Sequence, residues 1–401
     1  MKRTLYAYLL KETIPAFVLS LFGFTLVLLT GRILQLTELF VNKGVPLGYI
    51  LRLLYFLLPQ FLGLTIPMAT LLSVLLAFNR LSSDNEITAL KASGISLYQM
   101  IPPILVFSLT TYAVTTFLSL YSVPRANEAS RALLFEIAST KANVGVRERV
   151  FNDDFEGLVL YVEQVKPKTL KWENVFISDA RNPAEVFTIF AREGVVLSDP
   201  LALAVTLRLT NGSIHKLGKD PHSYQKVDFN TYDLRLHLKT GFQGKKTEEK
   251  HPADMTLGEL IRSIQSLQAK TADTKTQWVK VHEKFSIPFA CIIFGIIGIP
   301  LGLQSRVARG SKSRGFSWSI GILLIYYLLY YLLINAGTSL AEGGILLLEV
   351  GMWAPNLIFL TLGIHLLVKA ADEKPVLIFV GVQKGIEWVR LKRQQGGGVP
   401  E

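Results

Sequence analysis

Six apolar runs, each long enough to cross a bilayer, bracket residues 125–280, which contain none. The runs are Ile14 to Leu36, Tyr49 to Phe78, Leu97 to Tyr121, Phe285 to Leu303, Phe316 to Leu340 and Leu346 to Val368. A hydrocarbon core about 30 Å thick requires about 20 apolar residues per helix. The expected fold is therefore a polytopic α-helical membrane protein of six transmembrane helices with an inserted β-rich domain. Residues 1–124 hold spans one to three, 125–280 the insert with helical connectors, 281–372 spans four to six, and 373–401 a basic tail. A single span would suggest an anchor; two triplets around an insert suggest a membrane machine that works through the insert. The first run is too long for a cleavable signal peptide, and no small-residue cleavage site follows it.

The formal net charge is +11, and its placement matters more than its size. Lys2, Arg3 and Lys11 precede span one; Arg306, Arg309, Lys312 and Arg314 fill the loop between spans four and five; Lys384, Arg390, Lys392 and Arg393 lie in the tail. Glu342 and Glu349 sit in the loop between spans five and six. Basic residues on one side of the membrane mark the cytoplasmic loops, so both termini are expected inside and the insert outside. Topology accounts for these charges without nucleic acid. For the basic loop, contact with an ATPase or anionic lipid heads is the secondary reading. Cys291 is the only cysteine, so no intrachain disulfide forms and the insert depends on its own core.

Span two contains Pro59 and Pro67, which read as a tolerated kink or, secondarily, a gate. The segment Arg80 to Ser96 is short, polar and cytoplasmic by this topology. Ser83 and Glu86 have the spacing of a capping box, Ile87, Leu90 and Lys91 fall on adjoining helix faces, and Gly94 is a stop signal. The spacing predicts a short surface helix over about 82–94, placed to receive a push from a partner.

Arg125 to Thr140 reads as helix, and alternation of period two follows. Strands are expected at Gly157 to Val162, Trp172 to Ser178, Glu185 to Ala191, Val195 to Ser198, Leu203 to Leu209, Ser213 to Lys216, Gln225 to Phe229 and Tyr232 to Leu238. Turn signals separate them, including Asn152-Asp153-Asp154, Ser178-Asp179 and Asn211-Gly212. Asn211-Gly212-Ser213 also fits a glycosylation sequon, but the turn is the favoured reading. Such a run of short strands argues a sandwich or open barrel. Residues 256–284 read as helix entering span four.

Catalytic and metal signatures are missing. Gly241 to Thr247 has the wrong glycine spacing for a phosphate loop, and Lys246 stands where a hydroxyl residue should follow Lys245. The six histidines do not cluster and no HExxH pattern occurs. No cofactor or metal is expected.

Several local motifs bear a resemblance to a known family. They are Asn79-Arg80-Leu81 through Glu86 to Ala92-Ser93-Gly94-Ile95-Ser96, Phe285-Ser286-Ile287-Pro288-Phe289-Ala290-Cys291, Gly298-Ile299-Pro300-Leu301-Gly302 and Trp353-Ala354-Pro355-Asn356. Together with the three-plus-three span pattern, they resemble the LptF/LptG-type permeases of the lipopolysaccharide export system. The short N-terminus leans toward the F type. The resemblance implies a periplasmic β-jellyroll insert and an inner-membrane permease subunit of an ABC-type exporter. It also implies partners: a paired homologous permease (LptF with LptG), a cytoplasmic ATP-binding subunit dimer (LptB) that hydrolyses the ATP, and the jellyroll proteins LptA and LptC. The cargo would be lipopolysaccharide, and no nucleic acid is involved.

The resemblance also implies residue roles. The coupling helix maps onto Ser82 to Gly94, with Glu86 as the acidic contact to the ATPase, supported by Ser83 and Leu90. Arg32, Lys43 and Arg52 near the first two spans are candidates for lipid phosphate. An ionisable group at membrane depth is expensive and so a functional candidate; snorkelling or a pair with Glu38 is the plain alternative. Leu160, Phe176, Phe187 and Phe190 are candidate inward-facing residues for acyl-chain passage, or simply sandwich core. A membrane-anchored scaffold or sensor is the competing function, and a membrane enzyme acting on lipids a third.

Overall fold

The computed structural model describes residues 2–43, 45–144, 148–155, 157–166, 171–181, 186–199, 204–217, 224–236, 250–269, 273–304 and 312–372. The loop 305–311, the stretch 237–249 and the tail beyond 372 lie outside the described residues. So do the cations Arg306 and Arg309 and the segment Gly241 to Thr247.

The helices are α1 Lys2–Lys43, α2 Leu47–Ser83, α3 Glu86–Ala92, α4 Ile101–Phe117, α5 Val123–Val144, α6 Leu257–Ala269, α7 Lys275–Gln304, α8 Lys312–Glu342 and α9 Leu348–Ala371. Among the described residues six stretches are long and apolar enough to cross a membrane: α1, α2, α4 running through into α5, α7, α8 and α9. A π-helical turn, Leu118–Ser122, joins α4 to α5. Two compact units form: 1–37 with 57–126 and 252–401, and 38–56 with 127–251.

In the first unit α2 and α7 form the centre. Of their apolar stretches 72% is buried, against 11% for α1 and 28% for α8. Leu71, Leu75, Phe294, Ile297, Tyr330 and Phe359 make the main core between α2, α7, α8 and α9. With little hydrophobic drive between helices in lipid, close contact depends on small residues. A Cβ on Gly295 would lie 1.8 Å from Ser108 Oγ, and one on Gly337 2.0 Å from the Gly351 carbonyl oxygen. Pro59 and Pro67 do not interrupt α2, which is one helix. Neighbouring hydroxyls serve carbonyls just ahead of two helix prolines: Tyr327 donates to Leu64 O (3.4 Å), three residues before Pro67, and Ser286 to Met352 O (2.6 Å), three before Pro355. Helix-breaking residues are tolerated where neighbours re-satisfy the backbone.

The second unit holds a six-stranded antiparallel meander in the order β1-β2-β3-β4-β5-β6. The strands are β1 Phe151–Phe155, β2 Leu158–Lys166, β3 Lys171–Asp179, β4 Phe187–Asp199, β5 Ala204–Leu217 and β6 Tyr224–Leu236. Eight short strands were expected; three pairs of them are fused into the long β4, β5 and β6. The Asn152-Asp153-Asp154 turn is instead β1, and Asn211-Gly212 lies inside β5, where Gly212 pairs with Ala191 on one side and Phe229 on the other.

The reason is a bend that all five longer strands share. Buried side chains alternate through Leu158, Leu160 and Val162 and then resume at Val165. They change parity likewise between Trp172 and Val175, between Ala191 and Gly194, between Leu209 and Gly212, and between Phe229 and Tyr232. Each strand takes its extra residue at one transverse row: Glu163, Asn174, Arg192, Asn211, Asn230. No ladder pair forms at that row, while register is identical on either side of it. An extra residue bends a strand and sharpens its twist; applied to every strand at once, it folds the sheet without register slip. Asn174 (φ 50°) and Asn211 (φ 55°) take the left-handed conformation that asparagine tolerates. Gly212 is required by contact, since a Cβ there would meet Phe190 O at 2.2 Å. The concave side encloses Trp172, Leu160, Ile177, Ile189, Leu207 and Leu209, with Phe135 of α5 against them.

Candidate functional site

In the 82–94 segment the capping box does not form. Ser83 still belongs to α2, and its hydroxyl approaches Asn79 Oδ1 at 3.5 Å. Asn85, with φ 62°, is the N-cap of α3 and makes no side-chain cap bond. Glu86 reaches away from its own backbone and accepts a 2.5 Å hydrogen bond from the Tyr8 hydroxyl of α1. Four residues along α1, Glu12 pairs with Arg80 at 2.6 Å, and Arg80 also faces Asp84 at 3.7 Å. The free energy that a cap would contribute goes instead into fastening α1 to the end of α2 and the start of α3. Sequence reading missed Tyr8 and Glu12 because their partners lie about seventy residues away.

The C-terminal end of α3 is as expected. Gly94 (φ 81°) follows the C-cap Ser93, with Ile95 N–H donating to Leu90 O and Gly94 N–H to Lys91 O, each 3.0 Å. This is the Schellman arrangement. Ile87 is buried and Leu90 half-buried in a core that includes Phe78, Leu81 and Met100. Thr88, Ala89 and Ala92 remain exposed. The helix is thus anchored on one face and open on the other.

Arg32 is exposed on α1, Lys43 is the last residue of that helix, and Arg52 is exposed on α2. A different cation is buried: the Lys284 ammonium, on the 6%-exposed side chain, donates to Ser119 O at 3.1 Å in the π-helical turn. It borders a cavity of about 140 Å³ with Thr115, Ser119, Lys280 and Glu283. Lys280 pairs with Glu283 at 2.7 Å.

The four acyl-chain candidates divide between two faces of the sheet. Leu160 is fully buried in the core, and Phe187 packs against it. Phe176 and Phe190 point the other way: Phe190 is 46% exposed. Their strand neighbours Val175, Ile177, Ile189 and Ala191 turn into the core, which leaves Phe176 and Phe190 on the open face. There the pairs Tyr161–Phe176 and Phe176–Phe190 form one row, and ring contacts run on through His215 to Tyr224. The bend row lies beside it. A cleft of about 610 Å³ is lined by both rows. Within it, Asn174 Nδ2 donates to Glu163 Oε2 at 2.6 Å. The repeated spacing of an aromatic and a polar residue two apart (Tyr161/Glu163, Asn174/Phe176, Phe190/Arg192) is the signal that could have revealed this face.

Among the described residues no group of His, Cys, Asp and Glu could hold a metal ion. The strongest polar cluster in the helical unit is structural. Asn356 Nδ2 donates to Ser286 Oγ (2.8 Å) and Ser286 O (3.1 Å), and the Tyr330 hydroxyl donates to Asn356 Oδ1 (2.8 Å). It ties α7, α8 and α9 together.

Comparison with known proteins agrees with this architecture. The family described as "Lipopolysaccharide export system permease LptF/LptG" matches residues 7–369. The "Lipopolysaccharide export system permease protein LptF" of Escherichia coli K12 is 22% identical over 366 residues, covering 90% of this chain and 93% of that protein, and the Shigella flexneri protein of the same name matches equally. An uncharacterized protein of Rickettsia prowazekii is 23% identical over 189 residues, 47% of this chain and 52% of its own length. Six membrane-length helices, three before and three after a bent antiparallel sheet in the sequence, matched by one family signature along nearly the whole chain, make this protein a member of the LptF/LptG family of lipopolysaccharide export system permeases.

Proposed function

We propose that this permease subunit, of the F type, extracts lipopolysaccharide from the inner membrane and hands it to its own sheet domain on the periplasmic side, with both termini in the cytoplasm. The observation that supports it most is the join of a membrane unit to a bent sheet in one chain of this family. ATP hydrolysis lies in a separate subunit. The F-type reading follows the names of the matched relatives.

In this reading a paired LptG-type permease covers the lipid-exposed faces of α1 and α8, of whose apolar stretches 11% and 28% are buried. An LptB dimer beneath pushes on the exposed face of α3. Glu86, Ser83 and Leu90 form the coupling region: Leu90 seats the helix in the core, and Glu86 passes displacement to α1 through Tyr8. Arg32, Lys43 and Arg52 meet the lipid phosphates, as cations near the outer boundary should. Acyl chains follow the core face of the sheet past Phe187 and Leu160, toward LptC and LptA.

Two measurements test this. Replacing Glu86 by alanine is expected to abolish co-purification of the ATP-binding subunit or lipid extraction without loss of folded protein; full transport by that variant rejects the coupling role. Photo-crosslinkers at positions 32 and 187 are expected to capture labelled lipopolysaccharide in living cells; silence at both rejects the path. A scaffold would bind no ATP-binding subunit.

A further inference from the structure

We propose that the cleft on the open face of the sheet is a saccharide-binding site, which takes the acyl-free sugar portion of the exported glycolipid. The proposal rests on the lipopolysaccharide reading and adds to it a second surface, opposite the core face assigned to acyl chains.

Three observations carry it. First, rings and planar polar groups run as adjacent rows. Tyr161, Phe176 and Phe190 form one row, and Glu163, Asn174 and Arg192 line the next, one step along the same strands. Ring faces are electron-rich and attract the weakly positive C–H groups of a sugar. Amide, guanidinium and carboxylate groups match the hydroxyls around its rim, with few polar groups fixing orientation.

Second, the charge balance selects against the alternatives. The lining residues carry one guanidinium, Arg192, and two carboxylates, Glu163 and Asp228, the latter paired with Lys226 at 2.9 Å. A site with that balance does not concentrate phosphate. An acyl chain would strip water from the polar row without replacing its hydrogen bonds. A neutral polyhydroxyl ligand satisfies both rows.

Third, the polar row exceeds what the bend needs. Left-handed backbone explains asparagine at 174 and 211. It does not explain Arg192 or Asn230, which have ordinary backbone and exposed side chains. The cleft volume of about 610 Å³ falls within the roughly 300–1,000 Å³ of small-molecule sites.

The test is calorimetric titration of the full-length protein in nanodiscs with dephosphorylated oligosaccharide released from lipopolysaccharide by mild acid. Saturable binding is expected. Arg192→Ala and Phe190→Ala should each weaken it about tenfold or more, and Val227→Ala, exposed on β6 outside the cleft, should leave it unchanged. Inorganic phosphate should not compete. An unaltered circular-dichroism spectrum and melting midpoint certify that each variant is folded, and Asn230→Ala provides a third substitution should one fail. Absence of saturable binding, equal affinity in Arg192→Ala and Phe190→Ala, displacement by phosphate, or a partner protein seated on this face in the assembled complex overturns the site. Crosslinking of intact lipopolysaccharide from position 32 reads the export function separately, so its persistence alongside failed sugar binding sinks only the cleft.

Discussion

The helical unit and the sheet both carry residues that ordinarily end their element, and in neither do they end it. Pro59, Pro67, Pro288, Pro300 and Pro355 lie inside α2, α7 and α9; Asn174, Asn211 and Gly212 lie inside β3 and β5. In the helices, hydroxyls from neighbouring elements reach carbonyls near two of the prolines. In the sheet, the five longer strands absorb an extra residue at one row, so none of them loses register with the next. In both units the packing on either side carries the element through residues that would end it alone.

The largest expected effects come from the tightest contact in each unit. Gly337→Leu puts a side chain against the Gly351 carbonyl, and Gly212→Val puts one against Phe190 O and the Phe229 ring. Each should cost about 1–3 kcal/mol or more. Thermal unfolding of purified protein, followed by the β-sheet circular-dichroism signal, should reveal Gly212→Val directly; unchanged melting would show that the packing beside the bend row is slack. Asn356→Ala strands Ser286 and Tyr330 in the α7–α9 network and should cost about 1–2 kcal/mol, read as a lower midpoint of detergent-solubilised protein. Asn174→Val forces a β-branched residue into left-handed backbone at about 1–2 kcal/mol, whereas Asn174→Gly should be nearly neutral. Equal melting of those two variants would refute the bend as described.

The smallest effect concerns pH. The Arg208 guanidinium holds the Asp233 carboxyl below its usual range through a bidentate pair at 2.8 Å. A depressed folded value means that this stabilisation is present above the unfolded carboxylate value near 4 and is lost as pH falls through the folded one. Both side chains are about half exposed, so screening keeps the effect small. Asp233→Asn should flatten the acid limb of the sheet's stability slightly, and an unchanged limb would assign acid sensitivity to another carboxylate.

Much of this was readable without coordinates. The six spans, the Gly94 stop of α3 and the existence of a strand-rich insert follow from local composition and period. The capping box was read in the wrong place: Ser83 and Glu86 have its spacing but not its bonds, while Thr256 and Glu259 make it, with Thr256 N–H donating to Glu259 Oε2 at 2.8 Å and Glu259 N–H to Thr256 Oγ1 at 3.3 Å. Spacing alone does not distinguish them, because α2 continues through Ser83 and Asn85 caps α3, which makes Glu86 its first residue and leaves its carboxylate to Tyr8. Phe176 and Phe190 leave the core for different reasons. Phe176 shares parity with the core residue Trp172, and the extra residue at Asn174 reverses it; Phe190 lies three residues from Phe187 with no bend residue between, so alternation alone turns it to the open face.

The sequence by itself determined which stretches enter lipid and which alternate as strands, because hydrophobic burial and backbone period act over a few neighbouring residues. Only the tertiary structure decided which face of each strand is core, which carboxylate caps and which fastens, and where a proline or asparagine bends rather than breaks. Those outcomes depend on partners dozens of residues away, whose hydrogen bonds and close contacts exist only once the chain has folded.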